Sequence, residues 1–98
     1  MSRSLRFHPE AETDLGNAAD HYALQCPGLD QRFIAEIELA LAQIVAFPEA
    51  SSPVNARSRR KILLGHPYSL MYSVTEAEIR VLAVAHHARS PFYWHGRE

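Results

Sequence analysis

The sequence predicts an α+β domain: a helical hairpin packed on one face of a mostly antiparallel four-stranded sheet, in the order β-α-α-β-β-β. Three observations lead there. Two segments carry apolar residues at helical spacing and are joined by only a few residues, which folds them back on each other as a hairpin. Three later runs, RRKILL, YSLMYSV and EIRVLAVAHH, are rich in aliphatic and aromatic residues and stand apart by gaps short enough for antiparallel hairpins. The chain has 98 residues, which suits one small domain, taken as 1–98, with a core modest enough that a partner could add to its stability.

The elements follow in order. Residues 3–8, RSLRFH, read as a short first strand, with Leu5 and Phe7 alternating against polar neighbours. Pro9 suits the first position of a helix, where its missing N–H costs nothing. Glu10, Glu12 and Asp14 then place negative charge at the positive end of the helix dipole. Ala11, Leu15, Ala18, Ala19 and Tyr22 recur on one face, and Cys26-Pro27-Gly28 stops the helix. Asp30 is the expected N-cap of the second helix, with Leu29 packed on Ile34 as a hydrophobic staple. Phe33, Ile34, Ile37, Leu41, Ile44 and Val45 form its apolar stripe, ending at Phe47-Pro48. Residues 49–58, EASSPVNARS, read as a polar loop. Of the three strands that follow, the last is apolar on both faces, with Ile79, Val81 and Ala83 against Leu82 and Val84, which predicts a central strand. There are no internal repeats and no low-complexity segments.

Composition narrows the function classes. Apolar residues make up 47% and charged ones 21%, which is globular and not disordered. One cysteine, Cys26, excludes an intramolecular disulfide. No apolar run reaches the roughly 18 residues of a membrane span, and the N-terminus lacks the apolar stretch of a signal peptide. The expected compartment is the cytoplasm, with no membrane partner. The net charge of −1 conceals an asymmetry. Residues 1–50 carry three basic and eight acidic side chains, residues 51–98 seven and three. Either one face of the molecule meets an anionic or acidic partner, or the charges are an ordinary solvated distribution.

The closing stretch VAHHARSPFYWHGRE concentrates reactive side chains: His86, His87, Arg89, Tyr93, Trp94, His95 and Arg97. Two adjacent histidines at the end of a strand point to opposite sides, so one is expected in the core and one in solvent. Arg89 either pairs with an acidic helix residue such as Asp14 or touches a ligand. Tyr93 and Trp94 either pack the tail onto the sheet or meet a partner. Arg59, Arg60 and Lys61, ahead of an apolar strand, are either a solvated strand start or a contact. Tyr22, Phe33 and Phe47 on the hairpin are either core or the wall of a partner groove. The histidines and the single cysteine show no metal-ligand spacing, and no metal or other cofactor is expected.

In the order and spacing of three stretches, FHPEAETDLGNAADHYALQCPGLDQRFIAEI, RRKILLGHPYSLMYSV and IRVLAVAHHARSPFYW, the chain resembles the RelE/ParE superfamily of toxins from bacterial type II toxin–antitoxin systems, and looks most like its ParE branch. The features that carry the resemblance are an arginine before a strand, the Pro67-Tyr68 turn with Tyr72 four residues on, and an ending of histidine, Arg89, Pro91, Tyr93 and Trp94. The resemblance covers nearly the whole chain. It implies the RelE/ParE-like fold, in agreement with the element order, and a toxin of the plasmid-stabilisation type. It also implies a cognate antitoxin, one segment of which wraps the toxin while its other half binds operator DNA, so that DNA is contacted only through the antitoxin. The implied target is DNA gyrase in the ParE branch and ribosome-bound mRNA in the RelE branch. A third reading is a non-toxic member acting only in antitoxin binding and autoregulation.

RNA cleavage by 2′-hydroxyl attack needs a base, an acid, and cations at the phosphate. If the chain is a nuclease, side-chain chemistry gives these roles to His87 as base or acid, Arg60 and Arg89 as clamps, and Tyr93 for placing the phosphate or stacking on a base, and the resemblance puts Tyr93 where nuclease members carry a functional tyrosine. Two positions depart from the nuclease pattern: His87, which lies near where RelE-like members place a second arginine, and Ser69. Ser69 follows Tyr68 where RelE-like members carry arginine, and a serine cannot offset developing phosphorane charge as a guanidinium does. The sequence therefore favours an inhibitor without chemistry of its own.

Overall fold

The computed structural model describes residues 3–97. Strand β1 (Ser4–Phe7) leads directly into helix α1 (Pro9–Gln25). His8 is the N-cap: its ring Nδ1 accepts the Glu10 N–H at 3.1 Å, and Pro9 takes the first helical position as expected. Cys26-Pro27 ends the helix, and Gly28, at φ 93°, supplies the left-handed turn into helix α2 (Leu29–Ala46). Gly28 is therefore the cap of α2, where Asp30 was the expected residue. The left-handed turn starts the helix two residues earlier and puts Asp30 inside its first turn.

The two helices cover one face of a sheet in the order β1-β5-β4-β3-β2. Its other strands are β2 (Ser52–Pro53), β3 (Ser58–Ile62), β4 (Tyr68–Val74) and β5 (Glu78–His86). The fold agrees with the predicted α+β architecture, with one added strand. The expected polar loop contributes β2, two residues paired antiparallel with Arg59 and Arg60. A run so short and polar has no periodicity to reveal it. β1 lies parallel to β5, and the remaining pairs are antiparallel.

The main core lies between helices and sheet, where Ala18, Phe33, Ile37, Ala40 and Ile44 meet Leu63, Tyr68, Leu70, Tyr72, Ile79 and Val84. Val45, expected in the helix stripe, is exposed, and Ala40 takes the buried place because a stripe of 3.6-residue period passes through 33, 37, 40 and 44. Tyr72 is wholly buried, with its hydroxyl donating to the Pro48 carbonyl at 2.7 Å. β5 is central, as its two apolar faces imply. Its faces are set by an irregularity: Met71 pairs with Ala83 but Tyr72 with Val81, so Leu82 is an extra residue. The bulge shifts the alternation by one. Ile79 and Val84 then both face the helices, while Leu82, Ala83 and Ala85 join Met71 and Trp94 in a second cluster on the other face.

Charge separates by layer. The helices carry all the acidic residues from Glu10 to Glu38 and one arginine, Arg32, while Arg6, Arg59, Arg60, Lys61 and Arg80 lie in the strands.

Candidate functional site

The site is built on β5 and the tail that follows it. β1 ends at Phe7, opposite Val81, so beyond that point one edge of β5 has no neighbouring strand. Side chains take over its backbone groups. Asp14 Oδ2, from α1, accepts the Val84 N–H at 3.3 Å. The Tyr93 hydroxyl reaches the Val84 carbonyl at 3.3 Å, and Arg97 Nη1 donates to the Leu82 carbonyl at 3.0 Å. The same Asp14 oxygen accepts from Tyr93 at 3.0 Å and from Arg97 Nη1 at 2.7 Å, and Arg89 stands 3.8 Å from the other carboxylate oxygen. The Asp14 and Arg97 side chains are 7% and 10% exposed, so this is a buried, hydrogen-bonded ion pair. Burial alone would lower the Arg97 pKa, but the hydrogen bond and charge of Asp14 raise it above its ordinary value.

The tail runs as successive turns, and Tyr93 and Arg97, four residues apart, come to the same side. Burial first, then the Asp14 carboxylate, push the Tyr93 phenol up to about 12, partly offset by Arg89 and Arg97. A phenol whose folded pKa lies above its unfolded value of about 10 contributes stability that is complete below pH 10 and is lost as pH rises through about 12. Alkaline urea titrations of the wild type should therefore lose about 2 kcal/mol more between pH 10 and 12 than Tyr93→Phe does. Parallel pH profiles for the two proteins would show that Tyr93 is not so held.

The open face of the sheet carries a groove of about 360 Å³. Its floor follows from register. Arg60 pairs with Met71 and Met71 with Ala83; Ile62 pairs with Ser69 and Ser69 with Ala85. Cross-strand partners share a face, so these make two rows on the side away from the helices. The tail forms the remaining wall, through Arg89, Phe92, Tyr93 and Trp94. Phe92 has φ 63°, a left-handed conformation that costs a non-glycine residue about 1–3 kcal/mol and holds its ring half-exposed at the rim. Ser69, fully buried, has its Oγ 2.9 Å from His87 Nε2.

Arg60, His87, Arg89 and Tyr93 thus converge on one groove although the sequence separates them. Their chemistry is constrained. The Tyr93 proton is committed to Asp14 and Val84, and the Arg89 guanidinium carbon lies 3.8 Å from the centre of the Tyr93 ring. No carboxylate lines the groove among the described residues. The arrangement has two arginines, a serine-tethered histidine and an apolar floor, which suits it to holding an anionic group.

The other singled-out residues lie elsewhere. Phe33 is wholly in the core and presents no surface, and Trp94 is buried beneath the tail. Tyr22 is half-buried in an aromatic cluster with Phe33, His66 and Tyr68, at centroid distances of 5.1 to 6.2 Å. Phe47 is 70% exposed. Arg59 Nη1 donates to the Glu49 and Ser51 carbonyls and braces the edge of the sheet. Lys61 pairs with Leu70, on the helix side of β3. Neither adjacent histidine enters the core: β5 ends at His86, whose ring meets Tyr68 at 4.9 Å, and the chain then turns so that both rings are exposed.

Sequence reasoning missed the Asp14–Arg97 pair, the Ser69–His87 contact, and a latch in which Glu36 accepts from the Gly65 N–H at 2.8 Å and meets His66 Nδ1 at 2.6 Å. Burial alone would raise the Glu36 pKa, but the hydrogen bonds from His66 and Gly65 and the charge of His66 hold it below the ordinary carboxylate range. A signal for Asp14 was present: it sits between Ala11 and Ala18, on the apolar face of α1, where a charge needs a partner. Among the described residues no helix is long and apolar enough to cross a membrane.

Residues 5–91 match a family model described as the ParE toxin of the type II toxin-antitoxin system parDE. Toxin ParE2 of Mycobacterium tuberculosis, in the CDC 1551 / Oshkosh and H37Rv strains alike, is 30% identical over 92 residues, covering 93% of this chain and 88% of that protein. Among solved structures, a chain of the chromosomal ParDE TA system from P. aeruginosa superposes with a TM-score of 0.75 at 24% identity, over 87% of this chain and 96% of that one, a likeness of fold.

Proposed function

From the premise that the chain belongs to the ParE toxin family, the toxin side of a type II toxin–antitoxin system, we propose that it acts by binding and inhibiting DNA gyrase until a cognate antitoxin neutralises it, and that it meets operator DNA only through that antitoxin. The observation that carries the inhibitor reading is the groove chemistry. Ser69 stands on the floor tethered to His87, the Tyr93 proton is held by Asp14, and no carboxylate completes an acid–base pair. Such a site can bind, while for proton transfer it offers only His87, tied to Ser69, and Tyr93, whose proton Asp14 holds.

A second reading, ribosome-dependent mRNA cleavage, has one observation in its favour: Arg60, His87, Arg89 and Tyr93 line a single groove. Induction without antitoxin separates the two. Gyrase inhibition is expected to give filamentation and a DNA-damage response with intact mRNA, and His87→Ala with Tyr93→Phe should leave toxicity at the wild-type level. Translation arrest with cut mRNA, abolished by the same pair of substitutions, would establish the nuclease instead. Unimpaired growth on induction would leave antitoxin binding and autoregulation as the function.

A further inference from the structure

We propose that the groove on the open sheet face receives a short extended segment of the antitoxin in which a carboxylate side chain is flanked by aliphatic ones. The inference rests on the reading above that an antitoxin neutralises this protein. The groove is lined by apolar surface that the chain itself leaves open: Ile62 on the floor is 48% exposed and Phe92 at the rim 52%. Both rims are cationic. Arg60 has no acidic partner among the described residues, and Arg89 lines the tail wall of the same groove, 54% exposed, stacked on Tyr93 and only loosely paired with Asp14 at 3.8 Å. An apolar trough between two guanidinium groups matches a peptide carboxylate held by charge-assisted hydrogen bonds, with aliphatic neighbours below. The volume accommodates a few side chains and not a helix.

A nucleic-acid strand fits the same groove less well. Its phosphates need a stripe of cations, whereas the chain has a net charge of −1 and the groove two arginines. Base stacking along a strand needs several free ring faces, and the groove exposes one, Phe92, since Arg89 lies on Tyr93 at 3.8 Å and Trp94 is buried.

Trp94 is the only tryptophan and lies at the groove, so its fluorescence reports occupancy. The full-length protein is titrated with overlapping ten-residue peptides from the C-terminal half of the antitoxin and, separately, with a ten-nucleotide oligo(A) RNA. The expected result is an emission shift with peptides containing a carboxylate between aliphatic residues. Exchanging that carboxylate for its amide, or Arg60→Glu in the toxin, should weaken binding about tenfold or more. A peptide carrying arginine in place of the carboxylate should regain affinity for Arg60→Glu. Ile62→Asp tests the apolar floor independently, and both toxin variants are exposed-strand changes whose folding is checked by thermal melting. Equal affinity of wild type, Arg60→Glu and Ile62→Asp would overturn the proposal. So would a Trp94 shift with RNA alone, or a full-length antitoxin complex in which no peptide moves Trp94; in these cases the neutralisation reading stands. Failure of the full-length antitoxin to bind the wild type would overturn both.

Discussion

Asp14→Ala is expected to destabilise the protein by about 3–5 kcal/mol, the cost of leaving a buried charge without its partner. One carboxylate oxygen accepts from the Val84 N–H, the Tyr93 hydroxyl and Arg97 Nη1, at 3.3, 3.0 and 2.7 Å. Truncation leaves the Val84 N–H without its acceptor and takes the charged partner from the Tyr93 hydroxyl and Arg97 Nη1, which keep only the Val84 and Leu82 carbonyls. Arg97, 10% exposed, then holds its charge with Glu10 at 3.8 Å as its nearest carboxylate. The same carboxylate joins α1 to the tail, so its loss should free residues 88–97 from the sheet. For a domain of this size the melting temperature should fall by about 12 °C or more. Asp14→Asn, which keeps an acceptor but loses the charge, should fall between. Asp14→Leu combined with Arg97→Met should recover only part of the loss, because it removes the desolvation cost together with the attraction but leaves the Val84 N–H and the Leu82 carbonyl without the partners those side chains supply. A change within about 0.5 kcal/mol for Asp14→Ala, the range of an ordinary surface substitution, would show that the clamp does not hold the tail.

Trp94→Ala should cost about 3–5 kcal/mol, the range for emptying a large aromatic site in a core. Trp94 is 4% exposed and packs with Met71, Leu82, Ala83 and Ala85, the second cluster that the β5 bulge makes possible. Without the indole, the open face of the sheet loses the one large ring fully buried on it among the described residues. Phe92→Ala, two residues earlier, provides the contrast: its ring is half-exposed, so the change should stay within about 0.5 kcal/mol. Chemical denaturation of the two variants decides the matter. Equal effects would mean that Trp94 is a surface residue available to a partner, as the sequence allowed, and not part of the fold.

These two residues show where sequence reading stopped. Trp94 and Tyr93 were visible as tail aromatics with two possible roles, and Arg89 as a pairing candidate for Asp14. The tight partner of Asp14 proved to be Arg97, with Arg89 at a looser 3.8 Å. Both arginines lie in a tail of turns without helical or strand periodicity, so spacing could not choose between them. The expectation that one of His86 and His87 enters the core assumed that alternation continues through both residues, but the strand ends at His86.

By itself the sequence determined what depends on local periodicity and on order along the chain: two amphipathic helices with a Pro-Gly break between them, three strands with hairpin spacing, a central last strand, and the motifs by which the chain resembles its family. Those signals are short-range, because a helix or strand face repeats within a few residues. Only the tertiary structure decided the parallel placement of β1 beside β5, the two-residue β2, the bulge that divides β5 between two cores, and the convergence of Arg60, His87, Arg89 and Tyr93 on one groove. Asp14 and Arg97 are 83 residues apart, and their contact exists because β1 stops short and leaves backbone groups of β5 to be satisfied. No local pattern records such an obligation. It arises when the sheet is assembled and its uncovered edge must find donors and acceptors.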